Sequence, residues 1–234
     1  MKTLFLDFDG VLFDSVKEAY LLSRSAYANI SPLEPIDKTE YTIFHKYRYL
    51  ITKSWHFYYI YELIKKHVVD FDFEKKYKNL VVNGNKEKAE IFDKKYVTAR
   101  ENLIRENYNF WDSLDEPYPF FFKIKELTKD NNYKIIILTN KKKLPVLNKL
   151  KKYNLKAELF ANEDLINYAN KSQFISNYMT KNSISNAFFI EDSIENLKAC
   201  EKNKDIRGLL VNWGYLSPKE KGLSLEEVIK EIGV

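Results

Sequence analysis

The chain has 234 residues, 45% of them hydrophobic and 30% charged, with six glycines, six prolines and a net charge of +5. That is the composition of a folded globular protein, and it excludes collagen-like and disordered classes. One cysteine, Cys200, rules out an internal disulfide and suits a reducing compartment. No apolar run approaches the roughly 18 residues of a membrane span. The lysines are interspersed with acids, which fits a solvated surface or an enzyme for small anions better than a nucleic-acid partner.

Met1-Lys2-Thr3-Leu4-Phe5-Leu6 opens like a secretory leader, but Asp7 and Asp9 fall where the apolar region should continue. A cytoplasmic protein is therefore expected. Thr3 to Leu6 is long enough for a buried strand and is ended by Asp7-Phe8-Asp9-Gly10. The two aspartates leave the carboxyl end of that strand together, and Gly10 permits a tight turn. In an open α/β sheet, chemistry is found at that edge. Carboxylates this close repel unless a cation or shared proton lies between them; the alternative is a pair of solvated acidic caps.

From Ser15 the apolar spacing turns helical, with Val16, Ala19, Tyr20, Leu22, Ala26 and Tyr27 on one face and Asp14 or Ser15 as N-cap. Pro32 and Pro35 mark a break. Asp37 to His67 reads as helix, rich in aromatics that include Tyr41, Phe44, Tyr47, Trp55, Tyr58 and Tyr59. Asn83-Gly84-Asn85 is a turn, and Lys86 to Tyr108 a second long helix. The next strand signal is Tyr133 to Leu138, too far on for a single crossover helix. The spacing predicts an inserted all-helical domain, residues 16–114, between core segments 1–15 and 115–234, with Pro117 and Pro119 at the return. Strand and helix then alternate: helix 120–129, strand 135–138, helix 144–153, strand 157–160, helix 172–180, strand 187–190, helix 194–200, strand 207–211. This predicts an α/β fold with a doubly wound parallel sheet.

Three later strand or helix ends carry polar groups. Thr139-Asn140 follows a buried strand and could hold a phosphate oxygen or simply cap a helix. Lys171 stands at a helix start, where a cation is disfavoured unless an anion accompanies it; a solvated lysine is the plainer reading. Glu191-Asp192-Ser193, with Asn196 beyond, ends another buried strand in adjacent carboxylates, either a metal site or a helix cap.

In order and spacing, Asp7-Phe8-Asp9-Gly10-Val11, Thr139-Asn140, Lys171 and Glu191-Asp192-Ser193 with Asn196 resemble the four motifs of the haloacid dehalogenase-like superfamily, and the resemblance covers the whole chain. Trp213-Gly214-Tyr215 is similar to a segment of its phosphoglycolate-phosphatase-like members, and the helical insert resembles the family's small helical cap. The resemblance implies a Rossmann-like core and a Mg²⁺-dependent phosphatase acting on a small phosphate monoester, such as a sugar, nucleotide or organic-acid phosphate. Asp7 would be the nucleophile that forms an aspartyl-phosphate, and Asp9 the general acid and then base. Thr139, Asn140 and Lys171 would bind the phosphoryl group. Mg²⁺ would sit on Asp7, the Asp9 backbone carbonyl and Asp192, with Glu191, Ser193 and Asn196 behind them. Asn196 stands where many relatives carry Asp.

Asp9 distinguishes the chain from dehalogenases and phosphonate-cleaving relatives, which lack it. Sugar phosphomutases keep it, but a histidine of theirs would fall near Ala19. A signalling receiver domain would carry its acceptor on a middle strand, and a catalytically silent phosphate-binding protein is the remaining alternative. Within the insert, Arg24, His45, Arg48, Lys53 and His56 are polar candidates for substrate choice, although the aromatics around them suit a core. The expected partner is a small phosphorylated metabolite, with no nucleic acid or membrane, and the expected state a monomer or weak homodimer. A carboxylate meeting a phosphate dianion at about 4 Å faces roughly 8 kcal/mol of repulsion at an effective dielectric near 20. That is about a millionfold in rate, so cations are required.

Overall fold

The structure, a computed structural model, describes residues 1–68 and 70–234. Strand β1 (Lys2–Leu6) is buried from Thr3 onward. A short β2 (Phe13–Asp14) follows, then helices α1 (Val16–Ala28) and α2 (Lys38–Lys46), a 3₁₀ turn (Arg48–Leu50), α3 (His56–Lys65), α4 (Asp70–Asn83), α5 (Lys86–Glu106) and α6 (Tyr108–Asp112). Strand β3 (Glu116–Pro117) pairs antiparallel with β2. Beyond it come α7 (Pro119–Leu127), β4 (Tyr133–Leu138), α8 (Lys143–Lys152), β5 (Glu158–Phe160), α9 (Asn162–Leu165), α10 (Lys171–Lys181), β6 (Ala187–Glu191), α11 (Ile194–Lys198), β7 (Ile206–Leu210) and α12 (Leu225–Ile232). Residues Met1–Asp14 with Glu116–Val234 form one compact unit and Ser15–Asp115 another.

The first unit is a doubly wound α/β layer structure. Its parallel sheet has the order β5-β4-β1-β6-β7. Side chains alternate across it as strand geometry requires. Leu4, Leu6, Ile135, Ile137 and Ile190 pack on one face with residues of α7, α8 and α12. Phe5, Ile136, Leu138 and Phe189 pack on the other with residues of α10 and α11. Leu6 lies opposite both Ile137 and Ile190, so β1, β4 and β6 end nearly level. From β1 the chain winds outward through β4 and β5, then crosses back to β6. The winding therefore reverses between β1 and β6, the place where such sheets open a crevice.

The helical unit is built on aromatic packing. Tyr47 stacks on Phe73 with ring centroids 3.8 Å apart, and Phe44 on Phe57 at 5.4 Å. The expected continuous helix over 37–67 is broken. Asp37 caps α2 by accepting from Thr39 N and Glu40 N, but the backbone leaves the helix at Tyr47 and is extended at Ile51. The Tyr47–Phe73 stack and a hydrogen bond from the Tyr77 hydroxyl to the Leu50 carbonyl (2.8 Å) hold that break, so packing overrides local helix preference. Helix α12 has a capping box, Ser224 with Glu227, and Gly233 ends it with φ +77°. Among the described residues no helix is long and apolar enough to cross a membrane.

Inside the helical unit a buried polar network ties α1, α5 and α6 together. Arg100 donates to both Glu18 oxygens at 2.9 and 3.2 Å and to the Tyr96 hydroxyl at 2.9 Å; Trp111 Nε1 donates to Glu18 at 2.7 Å. Removing either ion, Arg100 or Glu18, leaves a buried charge uncompensated, at a cost of about 3–5 kcal/mol. Arg100→Leu is therefore expected to lower the urea midpoint sharply, and Glu18→Leu/Arg100→Leu to recover much of the loss, as equilibrium denaturation would read.

Candidate active site

One step beyond Leu6, the level strand ends set Asp7 beside Glu191. The Asp7 N–H still donates to the Ile190 carbonyl (3.0 Å), and its Oδ1 accepts from Phe8 N (2.7 Å). Lys171, the first residue of α10, reaches in from the helix start with its side chain 2% exposed. Its Nζ lies 2.8 Å from Asp7 Oδ2 and 2.8 Å from Glu191 Oε2. The anion that a lysine at a helix start calls for is thus a pair of buried carboxylates.

Both carboxylate oxygens of Glu191 accept hydrogen bonds. Its Oε1 accepts from the N–H groups of Asp192 and Ser193, both at 3.2 Å, and its Oε2 from Asn196 Nδ2 (3.1 Å) as well as from Lys171. The amide of Asn196 can donate this bond, which an ionised Asp could not. Asp192 Oδ2 accepts from Tyr215 N at 2.7 Å. Two glycines let these backbones meet. Gly10 has φ +82°, and a Cβ there would stand 2.0 Å from Asp192 Oδ2; a Cβ on Gly214 would stand 2.1 Å from the Gly10 carbonyl oxygen. Trp213 Nε1 donates to the Val11 carbonyl (3.1 Å) and the Tyr215 hydroxyl to Asp14 Oδ1 (2.9 Å), which pins the loop after β1.

The remaining predicted residues are placed differently from one another. Thr139 is buried, its N–H donating to the Phe160 carbonyl. Asn140 is exposed. Ser193 occupies the N-cap position of α11 without a side-chain capping bond, and its hydroxyl donates to Glu195 Oε2 (3.3 Å). Asp9 is ion-paired with Lys141, whose Nζ lies 3.0 Å from Asp9 Oδ1. Lys141 was missed from the sequence: it is the first of three consecutive lysines, and nothing in their spacing marks the buried one. In the helical unit, His56 is buried and pushed down to about 4 by desolvation and by Lys53, with its Nδ1 3.0 Å from the Tyr77 hydroxyl. It is a neutral packing residue. His45 and Lys53 are exposed, and Arg24 donates to the Pro35 carbonyl.

Burial and the neighbouring Glu191 charge raise Asp7 to about 8, against the pull of Lys171. Glu191 is raised as well, by burial first, while Lys171 and its hydrogen bonds pull the other way. Burial disfavours the Lys171 charge, but the two carboxylates outweigh it and its pKa is raised. One proton held between two carboxylates is the cost of this density of charge. Asp7, Glu191 and Asp192 each offer an oxygen, all within 4.8 Å of one another. Hard oxygen donors clustered in this way fit a divalent cation such as Mg²⁺.

No protein-family model matches the chain, and no curated protein matches it in sequence. Solved structures do match its fold. A predicted phosphoglycolate phosphatase from Haemophilus somnus 129PT superposes with a TM-score of 0.62 at 14% identity, covering 92% of this chain and 87% of its own. A haloacid dehalogenase-like family hydrolase from Streptococcus pneumoniae gives 0.59 at 12% identity, covering 99% and 97%. A HAD-superfamily hydrolase of subfamily IA from Geobacter sulfurreducens gives 0.57 at 14% identity, covering 100% and 97%. With the parallel sheet, the charged cluster at its carboxyl edge and the helical insert after the first strand, the chain has the fold of the haloacid dehalogenase-like hydrolases.

Proposed function

We propose that this protein is a Mg²⁺-dependent phosphatase that hydrolyses a small phosphate monoester. The observation that carries the reading is the buried cluster of Asp7, Lys171, Glu191 and Asp192 at the crevice between β1 and β6. A phosphoryl group needs a nucleophile, a fixed cation and a metal seat there, and these residue types supply all three. The neighbouring structures described as phosphatases support the same reading.

In this reading the Asp7 carboxylate attacks phosphorus, the bond to the ester oxygen breaks, and an aspartyl-phosphate forms. Asp9 gives its proton to the departing oxygen. It then takes a proton from the water that attacks the aspartyl-phosphate, releasing inorganic phosphate and restoring Asp7. Lys171 has three N–H bonds, and two engage Asp7 and Glu191; the third serves a phosphoryl oxygen, with Thr139 and Asn140 beside it. Asp7, Asp192 and the Asp9 carbonyl would hold Mg²⁺, which supplies neutralisation of phosphate charge when bound. Glu191, kept in place by Asn196 and the Ser193 N–H, orients Lys171. The helical unit acts as the cap that selects the organic part of the substrate. The expected setting is a cytoplasmic monomer or weak homodimer.

A panel of phosphate monoesters assayed for phosphate release, with Mg²⁺ and with EDTA, tests this. Release is expected only with metal and is expected to vanish in Asp7→Asn. Asp9→Asn should lower the rate by about 10²–10⁴-fold, the usual worth of a general acid–base group. A folded, metal-loaded protein that releases phosphate from none of the esters overturns the reading in favour of a mutase or a binding protein.

The Asp7 proton gives a second test. Its folded pKa of about 8 lies above the usual 3.8. The native state therefore holds a proton that the unfolded chain has lost, and this contribution to stability is complete below 3.8 and disappears as pH rises through 8. Denaturant melts of metal-free protein are expected to show stability falling from pH 5 to about 8, and a flatter profile for Asp7→Asn. Mg²⁺ affinity measured by calorimetry should rise over the same interval, because binding displaces the proton.

A further inference from the structure

Asp9 has the harder task of the two motif aspartates in the proposed reaction. It must face the leaving oxygen in one step and a water in the next, with the proton moving in opposite directions. Yet it stands in the turn after β1, with its side chain 21% exposed. Its partner Lys141 has far less freedom. The Lys141 side chain is 2% exposed, with its ammonium over the Phe8 ring at 5.6 Å and 3.0 Å from Asp9 Oδ1. The backbone of Lys141 is held on both sides: its N–H donates to Thr139 Oγ1 (3.1 Å), and its carbonyl accepts from Asn162 N (3.0 Å). The ammonium is thus mounted on the loop after β4, whose hydroxyl anchor is the proposed phosphate-binding Thr139.

We infer that Lys141 is a positioning residue for Asp9, fixing the direction of its carboxylate across the crevice, and that it is not a ligand of the phosphoryl group. This role rests on the phosphatase reading for its catalytic consequence, but the placement of Asp9 is readable without it. An ammonium carried on a buried stem and a fixed backbone gives Asp9 one preferred direction. The loop that sets Thr139 against the phosphoryl group then also sets the acid–base group.

The test is a double-mutant cycle with a structural arm. Lys141→Met keeps the apolar stem and removes the charge. It is expected to lower kcat by about 10–100-fold, as small misplacement of a reacting group does. KM should stay within about threefold, because no binding contact shared by substrate and transition state is removed. Lys141→Arg, which keeps a cation, should recover most of kcat. In an Asp9→Asn background Lys141→Met should cost less than about twofold, since the group it positions is already gone. An equal loss in both backgrounds overturns the inference, as does a raised KM with kcat intact, the mark of a substrate ligand. Crystal structures of wild type and Lys141→Met provide the independent arm: the Asp9 carboxylate is expected to turn away from its wild-type direction, and an unmoved carboxylate overturns the inference. Wild type that is inactive on every ester overturns the phosphatase reading instead, and the crystal arm still decides where Asp9 is held and by what.

Discussion

The crevice depends on a local excess of buried negative charge. Asp7 and Glu191 lie side by side with Lys171 bridging them, and Asp192 adds a third carboxylate within reach. Several kcal/mol of desolvation attend each buried ion, and the interior tolerates this only with close partners and complete hydrogen bonding. Glu191 meets that condition with four accepted bonds. Asp7 meets it less well, and burial beside Glu191 raises its pKa. With all three carboxylates ionised the cluster has three negative charges against one positive, and a divalent cation restores neutrality. The feature that makes the site unfavourable when empty is the feature that makes it receptive.

The sheet makes this concentration of charge possible because its strand ends are level. A one-residue slip of β6 against β1 would send Glu191 to the opposite face and leave Lys171 without its second anion. The alternation of Leu4, Leu6, Ile135 and Ile137 into one apolar layer, with Phe5, Ile136 and Phe189 in the other, fixes that register. Apolar and charged residues are therefore divided along β1 and β6: the apolar residues choose the register, and the residue after the last of them enters the buried charged cluster. The loops that follow cross closely through Gly10 and Gly214, where side chains would collide.

Much of this was legible one residue at a time. Asp7, Thr139 and Glu191 each directly follow a short apolar run, with Asp9 and Asp192 just beyond, and polar groups at such positions mark the end of a buried strand. Lys171 was legible only as an oddity of helix electrostatics. Lys141 was not, because a lysine's burial depends on what the fold brings over it, and its neighbours Lys142 and Lys143 read identically in sequence. The insert was recognisable from the long gap between strand signals, while its internal breaks were hidden: aromatic residues recur at helical spacing on both sides of the turn at Arg48–Leu50, and the Tyr47–Phe73 stack that sets the break joins residues far apart in sequence. Helix α12 was not read from the sequence, although its capping pair Ser224 and Glu227 is a start signal that could have found it. The pairing of β2 with β3 had no signal, since two-residue strands have no period.

That small ribbon carries a consequence of its own. Asp14 is paired with Glu116 and Phe13 with Pro117, and the helical unit begins and ends at the adjoining residues, Ser15 and Asp115. The departing and returning chains are thus stitched together before the insert begins, with the stitch belonging to the sheet-bearing unit. An inserted segment with paired ends behaves as a cassette. It can lengthen, shrink or be exchanged for another without altering the register of β1, β4 and β6, because the pairing that closes it belongs to the unit that holds the sheet.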